Sequence, residues 1–405
     1  MRCLARTPLR LKGRRWFQHV EVVQGDVTMS STLHAALEGV NTTYYLIHNM
    51  TYGHGYTSLE LDSARTFARA AETAGVEHII YLGGLADPEQ HIAPHMRSRI
   101  ETGRVLREGS VPVTEFRAGV IAGSGSISFE MIRFMTELFP IVPGPLWMKN
   151  KSQPIAIQNV IDYLLAALTN PNGRGHVFEI GGPDVTTYGD LMLRYARLRR
   201  LKRRMLMVPG MPVWIMAFGV GLMTPVPYPI AHALIGGLSA DSVVKHPEAL
   251  RVFPEVKLID FDSAAKDALE KTHPSHIERV WDDSRQIIKP IKHEGCFIDH
   301  RETKVRAESE KVLDALKQFI NSSDAFTEVA ETNEQILVCM EARAMGEAWI
   351  EWRVGQTGSL THLTQTVFFC PHGLPGFLYW YILYPFHVIK HRGFIQAIAR
   401  QSKLQ

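Results

Sequence analysis

The sequence predicts an α/β domain on an open, mostly parallel sheet, followed by a smaller α+β domain. Three observations carry this reading. Over the first 125 residues, short apolar or β-branched runs alternate with helical patterns, the sign of repeated βαβ units. From Gly295 the order becomes a helix, three alternating strands and an aromatic helix, which is an α+β order. A chain of 405 residues also exceeds one ordinary core.

Strands are expected at Arg2 to Leu4, Val20 to Val23, Thr43 to Ile47, Ile79 to Leu82 and Val113 to Arg117. Helices are expected at Ser31 to Leu37, with Ser30 as cap, at Ser58 to Ala74, closed by Gly75, and at Met96 to Glu108. Beyond Gly125 come a helix at Ser128 to Phe139, the apolar run Pro154 to Ile157, a helix at Ile161 to Leu168, a strand at Val177 to Ile180 and a helix at Tyr188 to Leu198. This irregular lobe, about 125–255, lies over the carboxyl edge of the sheet, where ligands bind in such folds. A short strand and helix are read around Val256 to Ala268. The expected division is 1–270 for the first domain, 271–294 for a linker and 295–405 for the second. In the last part a helix at Ser309 to Phe319 precedes strands at Gln335 to Ala342, Glu347 to Val354 and Thr361 to Cys370, with a helix from Gly376.

Composition narrows the partners. The chain is 45% hydrophobic and 21% charged with net charge +3, the balance of a packed globular protein. Its basic residues form short clusters, the largest from Arg197 to Arg204, so nucleic acid is not an implied partner. Met205 to Ala240 carries no charged residue, but Pro209, Pro212, Pro225, Pro227 and Pro229 cut it into helix-sized pieces near Val213 to Met223 and Ile230 to Leu238. Helices covering a pocket are favoured there over a membrane span. Cys3, Cys296, Cys339 and Cys370 have no metal spacing, so neither a metal site nor a disulfide framework is expected. A reducing, cytoplasmic setting follows from that reading of the cysteines.

The runs RCLART, VVQGDVT, ALEGVNTTYYLIH, AGVEHIIYLGGL and GSVPVTEFRAGVIAGSGSISFEMIR resemble successive pieces of the atypical short-chain dehydrogenase/reductases, NmrA-like or nucleoside-diphosphate-sugar-epimerase-like. The resemblance implies a Rossmann-like, doubly wound sheet that binds NAD(P). It also implies that this chain starts one strand late, because no GxxGxxG phosphate loop stands in the first 40 residues. A sheet without its first strand leaves backbone groups unpaired at about 1 to 3 kcal/mol per buried group. Low stability, or a substitute strand such as a partner chain could supply, is then the expectation.

The same resemblance suggests site residues. Arg6 stands where a basic side chain faces an adenosine 2′-phosphate, favouring NADP(H) over NAD(H), against the plainer reading of an exposed loop arginine. Asp26, with Val27, stands where an acceptor meets the adenine amino group, against a plain turn aspartate. His48 ends a strand beside the cofactor ribose, and Arg117, Gly119 and Gly123 lie on the nicotinamide side. Gly83 and Gly84 replace the usual catalytic serine, and His95 and Arg99 stand where Tyr-x-x-x-Lys is usual. The i,i+4 spacing puts His95 and Arg99 on one helix face, as a modified acid/base pair or as a non-catalytic pair. The C-terminal segment, with Trp349, Trp352, Tyr379, Trp380, Tyr381 and His387, resembles a shortened START/SRPBCC helix-grip domain. The functional expectation is an NAD(P)-dependent oxidoreductase acting on a small apolar carbonyl or enone, with His95 as proton donor. The alternative is a nucleotide- or ligand-sensing protein without catalysis.

Overall fold

The computed structural model describes the chain except for residues 12–15, 49–55, 88, 91, 224–225, 227, 272–290, 294–295, 324–325, 333–334, 341–344, 358–359 and 403–405. The described residues divide into two compact units, one built from Met1–Thr136 and Ile141–Lys271, the other from Glu137–Pro140 and the described residues from 291 onward.

The first unit holds the strands β1 (Arg2–Ala5), β2 (Glu21–Gln24), β3 (Thr42–Tyr45), β4 (His78–Gly84), β5 (Val113–Ala118), β6 (Ile121–Ala122), β7 (Ile141–Pro145), β8 (Lys151–Ser152), β9 (Ile155–Ala156), β10 (Val177–Ile180), β11 (Thr186–Thr187) and β12 (Arg204–Val208). Its helices are α1 (Ser30–Leu37), α2 (Tyr56–Thr73), α3 (Pro94–Arg107), α4 (Ile127–Leu138), α5 (Ile157–Thr169), α6 (Tyr188–Leu198), α7 (Val213–Met223), α8 (Tyr228–Gly237), α9 (Glu248–Val252) and α10 (Phe261–Glu270). The strands β10, β5, β4 and β3 form a parallel sheet in that order. Its register sets Tyr45 beside Tyr81 and Leu82 beside Phe116.

Both faces of this sheet are covered, so β4 is apolar on alternate sides. Ile79 and Tyr81 face a core with Leu33, Phe67 and Leu106, under α1, α2 and α3. Ile80 faces the opposite core with Phe116, Tyr163, Phe178 and Phe253, under α5 and α9. Inside the sheet the His78 Nε2–H meets the Thr114 hydroxyl at 2.8 Å, and that hydroxyl donates to the Gly173 carbonyl at 2.7 Å. The Thr114 hydroxyl is satisfied this way, while His78 Nδ1 has no partner among the described residues.

The strands β1 and β2 pair in parallel as a separate two-stranded piece. Among the described residues β1 is paired only to β2 and β3 only to β4, so the sheet is seen in two pieces rather than one. Both pieces nonetheless share a core, since Leu4 packs into the cluster that holds Tyr45.

Several expectations need correction. Ser30 does not cap α1: the cap position is Met29, with no side-chain hydrogen bond. Gly75 does close α2, at φ +73° where a Cβ is strained. The stretch around Val256 forms no strand, and α9 was not read because five residues are too few for a periodic pattern. No described helix is long and apolar enough to cross a membrane.

The second unit comprises β13 (Ile291–His293), β14 (Cys296–Val305), α11 (Ser309–Asn321), β15 (Phe326–Thr332), β16 (Gln335–Met340), β17 (Gly346–Thr357), β18 (Leu360–Pro371) and α12 (Gly373–Gln401). The sheet is antiparallel and six-stranded, in the order β13-β14-β18-β17-β16-β15. Three of these strands were not foreseen. The polar half of β14, His300 to Lys304, hides its alternation, and Ile291–His293 falls in the expected linker, most of which lies outside the described residues. The expectation of unpaired cysteines is also overturned. The β14/β18 register places Cys296 across from Cys370, 74 residues away, and the two are joined by a disulfide with Cα atoms 4.3 Å apart. Sequence spacing cannot register a cross-strand neighbour. With a disulfide present, a reducing compartment no longer follows from the cysteines.

Candidate active site

The carboxyl ends of β4 and β5, with the chain just past β3, open into a cavity of about 310 Å³ roofed by α3, α4, α6, α7 and α8. This is where ligands sit in open parallel sheets. Gly83 and Gly84 end β4, and the second has a packing reason to be glycine. A Cβ on Gly84 would come 2.7 Å from Met96 Cε and 3.1 Å from Arg99 Cδ. Glycine at the strand end thus lets α3 lay Arg99 across it.

Arg99 is held at both ends. The Tyr81 hydroxyl donates to its carbonyl at 2.9 Å, and its Nη1 donates to His48 Nε2 at 2.8 Å. That bond makes Nε2 the acceptor, so the proton of a neutral His48 sits on Nδ1, 3.6 Å from Glu60 Oε1. This is a long contact rather than a hydrogen bond. Burial lowers the His48 pKa and the Arg99 charge adds to this, against the opposing pull of Glu60. Glu60, 2% exposed on α2, accepts a 2.6 Å hydrogen bond from the Ser98 hydroxyl. Burial pushes the Glu60 carboxyl up, but contacts from His48, Ser98 and Arg99 outweigh it and leave the pKa lowered. Ser98–Glu60–His48–Arg99 is therefore a chain ending in a cation at the cavity wall.

His95 lies one turn before Arg99, 4% exposed, with no partner for Nδ1 among the described residues. Burial, assisted by the Arg99 guanidinium, pushes its pKa down to about 4, so the ring is neutral at pH 7. Gly237 of α8 presses on it: a Cβ there would fall 2.5 Å from His95 Cε1.

The rest of the wall is apolar and rich in methionine, from Met96, Met131, Met135, Met148, Met192 and Met216. Such walls repack around ligands of different shape. Ser126, Ser128, Tyr188, Asp241 and Ser242 interrupt it with polar groups. The Tyr188 phenol, pushed well up by burial, stays protonated, and the Ser242 hydroxyl donates to the Leu85 carbonyl at 2.9 Å. Ser242 also explains Gly119, where a Cβ would come 2.5 Å from its Oγ.

Of the residues singled out from sequence, His48, Gly83, Gly84, His95, Arg99 and Gly119 line this one cavity. Arg117 does not line it. Its Nε pairs with Glu115 Oε1 at 2.6 Å, on the side of β5 where Arg107 of α3 pairs with the other carboxylate oxygen. Asp26 closes a turn, accepting from the Thr28 N–H at 2.9 Å and hydroxyl at 2.8 Å, and the backbone bond is the main cause of its lowered pKa. Arg6 is exposed at the end of β1, near enough to lower the Asp26 pKa further, and Val27 is buried in the core with Leu33 and Leu37. Among the described residues no cluster of metal-ligating side chains exists. Sequence reasoning missed Glu60, Ser98, Tyr188 and Ser242. Only Ser98 carried a signal, its i,i+3 spacing from His95.

Residues 17–180 match the model of the NmrA-like family. Residues 297–393 match a different one, described as protein of unknown function (DUF2867). No curated protein matches the chain. Among solved structures, Citrobacter sp. triphenylmethane reductase complexed with NADP(H) aligns at TM-score 0.53 and 18% identity, over 66% of this chain and 90% of that one. A new type of NADPH-dependent quinone oxidoreductase from Escherichia coli aligns at 0.52 and 15%, over 65% and 88%. A nucleoside-diphosphate-sugar epimerase from Staphylococcus aureus aligns at 0.50 and 14%, over 65% and 90%. At such identities the likeness is one of fold, and the first unit has the Rossmann-like α/β fold.

Proposed function

We propose that the first unit is an NAD(P)-dependent oxidoreductase of the atypical short-chain type, acting on a carbonyl or enone of a small apolar molecule. The observation that carries this is an apolar cavity at the carboxyl ends of parallel strands, with a buried neutral histidine and a fixed guanidinium on one wall. The residues present fit the two ends of a dinucleotide better than its middle. Gly83 and Gly119 line the cavity on the side where the nicotinamide would lie, and His48 where its ribose would. Arg6 and Asp26 follow the carboxyl ends of β1 and β2, and an exposed arginine there favours NADP(H). Among the described residues before α1, no glycine-rich turn cradles a pyrophosphate.

A bound nicotinamide supplies the hydride. The chain's own part is to place and polarise the substrate oxygen. Arg99, oriented by His48 and backed by Glu60, keeps positive charge at the wall, and charge fixed before reaction stabilises a developing oxyanion. The N–H of neutral His95 is the second donor to that oxygen. The methionine wall excludes water and accommodates the apolar body.

The test is NADPH oxidation against a panel of quinones, aryl ketones and enones, alongside NADPH fluorescence titration. Turnover that falls at least tenfold in Arg99→Met and His95→Phe is expected. Saturable NADPH binding with no turnover on any member favours the sensing alternative. No binding and no turnover would remove both.

A further inference from the structure

The second unit contains a cavity of about 430 Å³ between its sheet and the helices α11 and α12. Six of its lining residues are aromatic: Phe319, Phe326, Phe369, Tyr379, Trp380 and Phe394. Helix α12 places Trp380, His387 and His391 at i, i+7 and i+11, one face of a helix. Their rings stack in series, Trp380 on His387 at 5.2 Å and 21°, His387 on His391 at 5.8 Å and 13°. Behind Trp380 the sandwich continues into Phe369 and Phe297, at 5.2 and 5.1 Å.

Elsewhere this unit satisfies its buried polar groups carefully. The Trp352 indole donates to Gln365 Oε1 at 3.0 Å, and the Gln365 amide donates to the His391 carbonyl at 2.9 Å. The His391 Nδ1–H donates to Asp299 Oδ2 at 2.9 Å, and Arg301 donates to the same oxygen. Against that background two atoms stand out. Among the described residues of this unit, the buried side-chain polar atoms without a hydrogen-bond partner are Trp380 Nε1 and His387 Nε2, and both residues line the cavity. Trp380 is 2% exposed, so water in the bulk does not serve its N–H. Buried donors left open in native proteins call for a partner.

The chemistry of these two atoms defines that partner. An indole N–H only donates, so the ligand must bring an acceptor. The aromatic walls call for a flat ring system, since stacking on them adds to simple burial. We propose that the second unit is a binding site for a flat aromatic or conjugated small molecule whose carbonyl oxygen accepts the Trp380 N–H beside His387. The His387 ring, neutral because burial holds its pKa near 4, adds no charge to that wall. The size suits one molecule of two or three fused rings, at the small end of known ligand cavities. This site is separate from the cavity of the first unit and does not depend on its reading.

The experiment compares 2-acetylnaphthalene with 2-ethylnaphthalene, equal in shape but for the carbonyl, by calorimetric titration of the full chain. Saturable binding of the ketone at least tenfold tighter than the hydrocarbon is expected. Trp380→Phe, which keeps the stack and removes the donor, should abolish that preference, and Ala348→Leu, which fills the cavity, should remove the binding event from the isotherm. Far-UV circular dichroism and a thermal melt check that each variant folds. If Trp380→Phe does not fold, Ala348→Leu decides in its place: loss of ketone binding is expected, and binding unchanged in that folded variant overturns the assignment. No saturable binding, or a ketone preference unchanged in a folded variant, overturns the assignment.

Discussion

Glu115 offers the sharpest test of how the first unit is held together, because two readings of its neighbour Arg117 give opposite results. The carboxylate is fully buried on β5, with Arg117 on one oxygen and Arg107 on the other. Helix α3 can come this close only because residue 103 is glycine, where a Cβ would lie 2.2 Å from Glu115 Oε2. Glu115→Gln keeps the shape and removes the charge, leaving two guanidinium groups beside a neutral amide. Breaking a buried pair by neutralising one member costs about 3–5 kcal/mol. Here the arginine side chains are 27% and 16% exposed and recover part of their hydration, so about 2–3 kcal/mol is the reasoned loss. For a unit of this size that is a fall of about 4–12 °C in midpoint. Scanning calorimetry of the wild type, Glu115→Gln, Arg117→Met and the double variant measures it. The ion-pair reading expects Arg117→Met to cost much less in the Glu115→Gln background and to leave NADPH affinity unchanged. A midpoint within about 1 °C of wild type for Glu115→Gln, or the same Arg117→Met penalty in both backgrounds, would refute it.

The remaining predictions concern protons, sulfur and one glycine. His78 and His95 both have pKa values pushed down to about 4, chiefly by burial, so the folded state prefers them neutral. Their contribution is complete above the unfolded value of about 6.5 and is lost as pH falls toward 4. The melting midpoint should therefore drop over that window, and His95→Asn should remove about one proton from the slope; a slope unchanged in the variant contradicts the assignment. Cys296→Ala with Cys370→Ala should destabilise the second unit by about 2–4 kcal/mol, the usual effect of losing a disulfide that closes a long loop. Unreduced, denatured wild-type protein should titrate two thiols rather than four, those of Cys3 and Cys339. Gly237→Ala drives a methyl into the His95 ring, at a cost of about 1–3 kcal/mol for overpacking; turnover should fall at least tenfold, and wild-type activity would show that the ring is not where catalysis needs it.

The βαβ order of the first unit was legible because short apolar or β-branched runs such as Ile79 to Leu82 alternate with helical patterns, as a sheet covered on both faces demands. Helix ends were legible where a backbone conformation demands one residue type, as at Gly75. Six of the candidate site residues meet in one cavity because strand ends in a parallel sheet converge by construction. What stayed hidden has a common cause. Glu60, Ser242 and the Cys296–Cys370 pair act on neighbours 38, 157 and 74 residues away, and no local period encodes such contacts. Arg117 shows the converse error: its position along the strand was read correctly, but the face was not. Glu115 and Arg117 are two residues apart and so share one side of β5, the side where Arg107 waits.

The burial of His95 changes the role that its sequence position assigned to it. A histidine that donates its proton to substrate must first be an imidazolium, and with a pKa of about 4 only about one ring in a thousand is charged at pH 7. Neutral imidazole gives up a proton far less readily, so under the proposed function it would serve as a hydrogen-bond donor while the final proton comes from solvent. The two roles separate in the pH dependence of kcat/KM. Donation from the charged form raises the rate about tenfold for each unit of pH lost between about 7 and 5, because the reactive fraction rises by that factor. A neutral donor leaves the rate flat over the same range, and His95→Gln, which keeps an N–H, should retain more activity than His95→Phe. Arg99 favours the second role, since the guanidinium that steadies an oxyanion also opposes a second positive charge one helical turn away. A tenfold rise per unit in the wild type, absent in His95→Gln, would sink this view and restore the histidine as the acid.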